Sequence, residues 1–124
     1  MGKALELTNR FYDLTNNKNT TDGLKEMLTD DMGFSGPLIR ASGAKNYIEM
    51  VGPFLKSHKE WRMLKQFENG GDVCSIYELD LRTPSGGAFS VTIADWIRVS
   101  GDRIAEQRVY YDPREFAKAF GISS

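Results

Sequence analysis

Ser90-Val91-Thr92-Ile93-Ala94-Asp95-Trp96-Ile97-Arg98-Val99 is the stretch that decides the fold. Most of its residues are β-branched or aromatic, which predicts a strand. Side chains alternate across a strand, so Val91, Ile93, Ile97 and Val99 share one face. Asp95 stands in the middle of that aliphatic row. A carboxylate in such company is paired, is neutral, or lines a cavity.

Outward from this strand the period of two persists. Segments 62–68, 73–82, 88–99 and 103–111 all read as strands, separated by Asn69-Gly70-Gly71-Asp72, Thr83-Pro84-Ser85-Gly86-Gly87 and Ser100-Gly101-Asp102. Such short links require antiparallel neighbours. Upstream the period is helical. Ala4, Leu7, Phe11 and Leu14 form one stripe over residues 3–17, and a short helix is expected around Leu24, Met27 and Leu28. Residues 32–39, with Gly33, Gly36 and Pro37, read as a bent edge strand. A second long helix starts at Ser42 or Gly43 and carries the stripe Tyr47, Val51, Phe54, His58. Pro53 inside it is expected to kink or split it. In the tail, Asp112-Pro113-Arg114-Glu115 predicts a helix start, and Gly121 its stop. Helices segregated to one face of an antiparallel sheet make an α+β domain, here one domain over residues 1–124.

The bulk properties exclude several functions. The chain has sixteen basic and seventeen acidic residues, a net charge of −1 and a pI near 5.8. That balance supplies no field for nucleic acid or an anionic membrane. No apolar run reaches the ~18 residues of a membrane span. With no secretory leader pattern, a cytoplasmic location is expected. One cysteine and one histidine do not assemble a zinc site, and no phosphate-loop, dinucleotide or HExxH pattern occurs. No cofactor and no metal are therefore expected.

Leu28-Thr29-Asp30-Asp31 leading into Phe34-Ser35-Gly36-Pro37-Leu38 is a further mark of the chain. So are Ile93-Ala94-Asp95-Trp96, Gly101-Asp102-Arg103-Ile104, and the run from Arg108 through Tyr111-Asp112-Pro113 to Phe116. In these the sequence resembles the nuclear transport factor 2-like superfamily. That group includes ketosteroid isomerase, limonene epoxide hydrolase and the SnoaL-like polyketide cyclases. The resemblance spans roughly residues 4–120. It implies a cone-shaped, curved mixed or antiparallel sheet wrapped around N-terminal helices (a cystatin-like roll), a short C-terminal helix, and a pocket inside. It also implies a homodimer through the outer sheet face. By this resemblance Asp95 falls on the isomerase's protonated aspartate, which donates to an oxyanion. Phe11 stands in place of the partner tyrosine and Gly36 in place of the basic aspartate. The epoxide hydrolase triad would fall near Asp80, Glu78 and Val109, with only Asp80 retained. No member's full machinery transfers. The implied activity is cofactor-free acid–base chemistry on a small apolar or polycyclic substrate, or ligand binding without catalysis.

The candidate catalytic residues are Asp95, Asp80 and Glu78. A two-residue turn at Ser85-Gly86 or Gly86-Gly87 puts Glu78 and Asp80 on Asp95's face, where three carboxylates would converge and raise at least one pKa. Such a set of oxygens is also the one candidate for a hard cation. An odd-length loop, or a bulge, puts them in water and turns Tyr77, Leu79 and Leu81 inward. The apolar pattern favours the second arrangement. In the first, Tyr77, Leu79, Trp96 and Tyr110 form an outer apolar face for a second copy. Phe11, Phe34, Tyr47, Val51, Phe54, Met63, Val109 and Tyr111 are expected to line a cavity for a small-molecule ligand. Tyr12 could donate to such a ligand, and His58 could move protons at its mouth.

Overall fold

The computed structural model describes residues 2–122. Its strands are β1 Leu28–Ser35, β2 Arg40–Ser42, β3 His58–Asn69, β4 Asp72–Arg82, β5 Ala88–Ser100 and β6 Arg103–Tyr110. The helices are α1 Lys3–Tyr12, α2 Ala44–Leu55 and α3 Arg114–Phe120. All six strands join one open sheet in the order β2-β1-β6-β5-β4-β3. Every pairing is antiparallel except β1 with β6. The architecture is the expected α+β roll.

Register irregularities interrupt β1/β6, β3/β4 and β5/β6. Bulges of this kind bend a sheet, and here the sheet bends around α1 and α2. The core lies in the hollow. Leu7, Phe11 and Tyr12 from α1 meet Tyr77, Leu79 and Leu81 of β4, with Ile93 and Ile97 of β5 beside them. Full burial of one such aliphatic or aromatic side chain stabilises the fold by roughly 1.5–3 kcal/mol. α1 is also fixed at its start. Glu68 of β3 accepts hydrogen bonds from the backbone N–H groups of Gly2 (3.0 Å) and Leu5 (2.9 Å). A carboxylate there pairs with the positive end of the helix dipole. A Cβ on Gly2 would press on the Glu68 carboxylate, so a larger residue there would have to displace the end of that side chain.

Four local expectations need correction. The short helix around Leu24 and Leu28 is only a 3-10 turn, Lys25–Met27, and Leu28 already opens β1. β1 is not an edge, because β2 pairs with its outer side and β6 with its inner side. Pro53 does not split α2. It falls in the last turn, two residues before the helix ends at Leu55. His58 belongs to β3 rather than to the helical stripe. α3 ends as expected, with Gly121 in the left-handed region at φ 65°. Asp112 Oδ1 accepts the Arg114 N–H (3.1 Å), which supplies the expected cap.

Candidate functional site

Parity along β4 and β5 builds the site. The five-residue link Thr83–Gly87 is closed by a Thr83 N–H to Gly87 carbonyl bond (2.9 Å) and pairs Glu78 with Thr92, Asp80 with Ser90 and Ser75 with Asp95. Odd-numbered residues of both strands therefore face the hollow, and even-numbered ones face away. This is the odd-loop arrangement, and the convergence of three carboxylates does not occur. Asp95 is fully buried. Glu78 and Asp80 lie on the opposite face, where Arg62 bridges them: its Nε is 3.3 Å from Glu78 Oε1 and its Nη2 is 3.0 Å from Asp80 Oδ1. Tyr77 and Leu79 move with the parity. Both are buried inside rather than on the outer face, which keeps Trp96 and Tyr110.

Around Asp95 the partners are neutral. Tyr77 Oη donates to Oδ2 (2.9 Å), and Gln107 Nε2 donates to Oδ1 (3.1 Å) and Oδ2 (3.0 Å). Tyr47 Oη donates in turn to Gln107 Oε1 (2.8 Å). Tyr12 Oη is buried beside the same carboxyl. Its ring packs edge-on against Tyr77, with centroids 5.5 Å apart. Among the described residues no arginine or lysine reaches the carboxyl. Burial pushes Asp95 up to about 6, against hydrogen bonds from Tyr77 and Gln107 that favour its charged form. Burial, with Asp95's charge second, raises the phenols of Tyr12, Tyr47 and Tyr77, so all three stay protonated.

Above this cluster lies a cavity of about 120 Å³. Phe11, Phe34, Tyr47, Val51, Phe54, Val109 and Tyr111 line it, as do Tyr12, Tyr77 and Gln107. Asp95 is not at the wall. It sits one layer behind, reaching the cavity through Tyr77 and Gln107. Met63 is the exception among the expected lining residues. It lies next to the irregular stretch of β3 and is 37% exposed. His58 lines the cavity from the start of β3, and burial lowers its imidazole to about 4. A larger depression, about 880 Å³, runs past Lys3, Glu6, Arg10 and Asp13 of the first helical segment. It lacks the buried polar cluster of the inner site. Among the described residues no group of three or more His, Cys, Asp and Glu is placed to hold a metal ion. No helix among them is long and apolar enough to cross a membrane.

Gln107 is the member of the site that the sequence reading missed. The signal was available, because Gln107 alternates with Val109 and lies across a tight turn from Asp95. Tyr77 stands on the outer face in one of the two expected arrangements and inside in the other, which the apolar pattern favours; the structure has it inside.

Solved structures share this shape. A steroid delta-isomerase from Pseudomonas aeruginosa superposes with a TM-score of 0.77 at 21% identity, covering 98% of this chain and 88% of that one. A candidate SnoaL-like polyketide cyclase from Jannaschia sp. CCS1 gives 0.80 at 15%, covering 98% and 94%. An NTF2-like protein of unknown function from Cytophaga hutchinsonii gives 0.76 at 24%, covering 91% and 93%. At such identities the likeness shows the fold. No curated protein matches the chain in sequence. The sequence model of the SnoaL-like domain matches residues 8–107, so the chain belongs to the SnoaL-like domain family.

Proposed function

We propose that the protein is a cofactor-free acid–base enzyme of the isomerase, cyclase or hydratase kind, acting on a small apolar molecule held in the inner cavity. One observation carries this reading: a buried carboxyl with no cation beside it is hydrogen-bonded to a tyrosine that lines the cavity. A carboxyl raised to about 6 exchanges its proton near neutral pH. Tyr77 touches the bound molecule and Asp95 acts through it. Glu78 and Asp80 have no part in this, because Arg62 holds them on the other face. With Asp95 protonated and donating to Tyr77 Oη, the Tyr77 hydroxyl turns its own proton to the charge built up on substrate oxygen during enolisation or water addition, and Gln107 fixes the carboxyl's orientation.

The test begins with a melting-temperature screen of hydroxylated rings, terpenoid epoxides and enones, since a ligand of the native state raises its apparent stability. With a turned-over hit, Asp95→Asn and Tyr77→Phe are each expected to lower kcat by roughly 10²–10⁴-fold. They should change binding much less. Full turnover by either variant would reject the assignment.

A second reading has its own observation. Asp95 stands behind the wall with its oxygens already bonded, as a structural carboxyl would. On that reading the fold binds a ligand, or dimerises, without catalysis, and hits of the screen would bind unchanged. In either case the outer face serves a homodimer. Phe67, Trp96 and Tyr110 flank an apolar groove there, and Trp96 and Tyr110 are 40% and 54% exposed. A monomer in sedimentation at micromolar concentration would refute the dimer. A cytoplasmic site of action accompanies this reading, with the lone free thiol of Cys74 in keeping.

A further inference from the structure

The inner cavity is small and selective, and one short helix sets its limit. Its volume of about 120 Å³ is slightly below that of an apolar cavity known to take benzene, ~150 Å³. A space of that order matches about one ring rather than two. The lining contains no Lys, Arg, Asp or Glu, and the nearest ionisable carboxyl, Asp95, stands directly behind it. His58 in the wall is held neutral by burial and adds no positive charge. An anion entering here would lose its water and meet no cation.

The aromatic end of the cavity is closed by α3. Phe116 lines the cavity. Its ring lies 5.4 Å from Phe54, 5.5 Å from Tyr111, 6.3 Å from Phe89 and 4.8 Å from Phe120, centroid to centroid. Asp95 lies six positions beyond Phe89 along extended β5, about 20 Å at ~3.3 Å per residue. The aromatic and polar ends are therefore far apart along the same strand. α3 makes local polar contacts only. The Arg114 side chain bonds Asp112, and the Ala117 N–H bonds the Pro113 carbonyl. Among the described residues, no hydrogen bond or ion pair ties α3 to anything before Asp112, and none of its residues is fully buried. Apolar packing, with the rings of Phe116 and Phe120 foremost, holds it in place.

We propose that the cavity accepts a neutral, single-ring molecule and that Phe116 is the residue that sets this size. The proposal rests on the functional reading above, since it concerns the same cavity. It narrows that reading, because it excludes polycyclic substrates for the native chain. A hydrophobic wall of this kind discriminates by roughly 10–200-fold per added group.

Titration calorimetry with benzyl alcohol, benzoate and 2-naphthalenemethanol tests it on the native chain and on Phe116→Ala and Phe116→Leu. The native chain is expected to bind benzyl alcohol at least about tenfold more tightly than the other two. Phe116→Ala is expected to strengthen 2-naphthalenemethanol by about tenfold or more, to move benzyl alcohol far less, and to leave benzoate excluded. Phe116→Leu, a milder change that decides the matter if the alanine variant does not fold, should fall between. Native binding of benzoate or of the two-ring alcohol as tightly as benzyl alcohol overturns the proposal. So does a folded variant that gains nothing for the two-ring alcohol. If the two-ring alcohol binds the native chain as tightly as benzyl alcohol and competes with it for one site, only the size limit falls. If none of the three probes binds the native chain, the functional reading falls with it.

Discussion

Asp80 and Asp95 occupy matching positions on the two faces of one sheet. Each is paired in register with a serine on the neighbouring strand, Asp80 with Ser90 and Asp95 with Ser75. Their chemistry diverges completely. Asp80 takes the Ser90 hydroxyl at 2.6 Å and both terminal nitrogens of Arg62, and Arg62 first, then Ser90, lowers it to about 2. Asp95 takes only neutral donors and is pushed up to about 6 by burial. Ser75 makes no hydrogen bond to it; that hydroxyl accepts from Gln66 Nε2 at 3.0 Å. The residue type and the strand partner are the same in both places. Water and a guanidinium on one side, and their absence on the other, decide which carboxyl stays charged.

The contrast is broken most severely at Gln107. Gln107→Leu removes the one side chain that bonds both Asp95 oxygens and also strands the Tyr47 hydroxyl. A buried carboxylate that loses its donors is expected to destabilise the fold by about 2–4 kcal/mol at pH 8. At pH 5, below about 6, Asp95 carries its proton and needs fewer donors, so the loss should shrink. Urea unfolding at the two pH values reads this directly. Equal losses at both would mean that Asp95 is already neutral at pH 8.

Asp95 and His58 pull the pH dependence in opposite directions. Asp95 has a folded pKa raised from 3.8 to about 6. Its contribution is complete below pH 3.8 and is lost as pH rises through 6, a swing of about 3 kcal/mol at ~1.4 kcal/mol per pH unit. His58 is lowered from 6.5 to about 4. Its contribution is complete above pH 6.5 and is lost as pH falls through 4. In the native chain the two offset each other between pH 4 and 6.5. Relative to the native chain, Asp95→Asn is therefore expected to lose stability as pH is lowered through that window. His58→Gln is expected to gain it. Denaturant midpoints across the window measure both, and slopes of the same sign in the two variants would refute the opposition.

How far these features were legible in the sequence follows from which forces act locally. Strands β3 to β6 announced themselves because period-two burial and turn residues are local properties, as at Asn69-Gly70-Gly71-Asp72, where Gly70 takes φ 60°. The inward carboxyl was equally plain, since Asp95 interrupts an aliphatic row. What depended on counting across a loop was not settled. Residues 83–87 decide whether Glu78 and Asp80 join Asp95, and a link of five reads much like a link of four until its hydrogen bonds are known. The parallel pairing of β1 with β6 was hidden for a related reason. The partners are about seventy residues apart, and no local pattern says which edge a bent, glycine-containing segment will choose. Gln107 shows the remaining gap. A glutamine within a strand looks like solvent-facing polarity unless a buried acid is already known to need its amide.

The outer face offers the smallest effect and the sharpest check on the comparison. Arg62 makes three hydrogen bonds to Glu78 and Asp80, more than any single residue gives Asp95. A count of contacts would make it the more important residue. Physical reasoning says the reverse. These charges keep their water, are screened by salt, and hold long side chains in one geometry at an entropic cost. Arg62→Ala should therefore shift the unfolding midpoint far less than Gln107→Leu, and adding salt should shrink even that shift. The freed Asp80 should then titrate nearer its ordinary value, which carbon-13 carboxyl chemical shifts can follow. Asp95 should not respond, since the sheet lies between them. An Asp95 titration that moves with Arg62 would mean that the two faces are electrically coupled and that the site cannot be reasoned about from its inner residues alone.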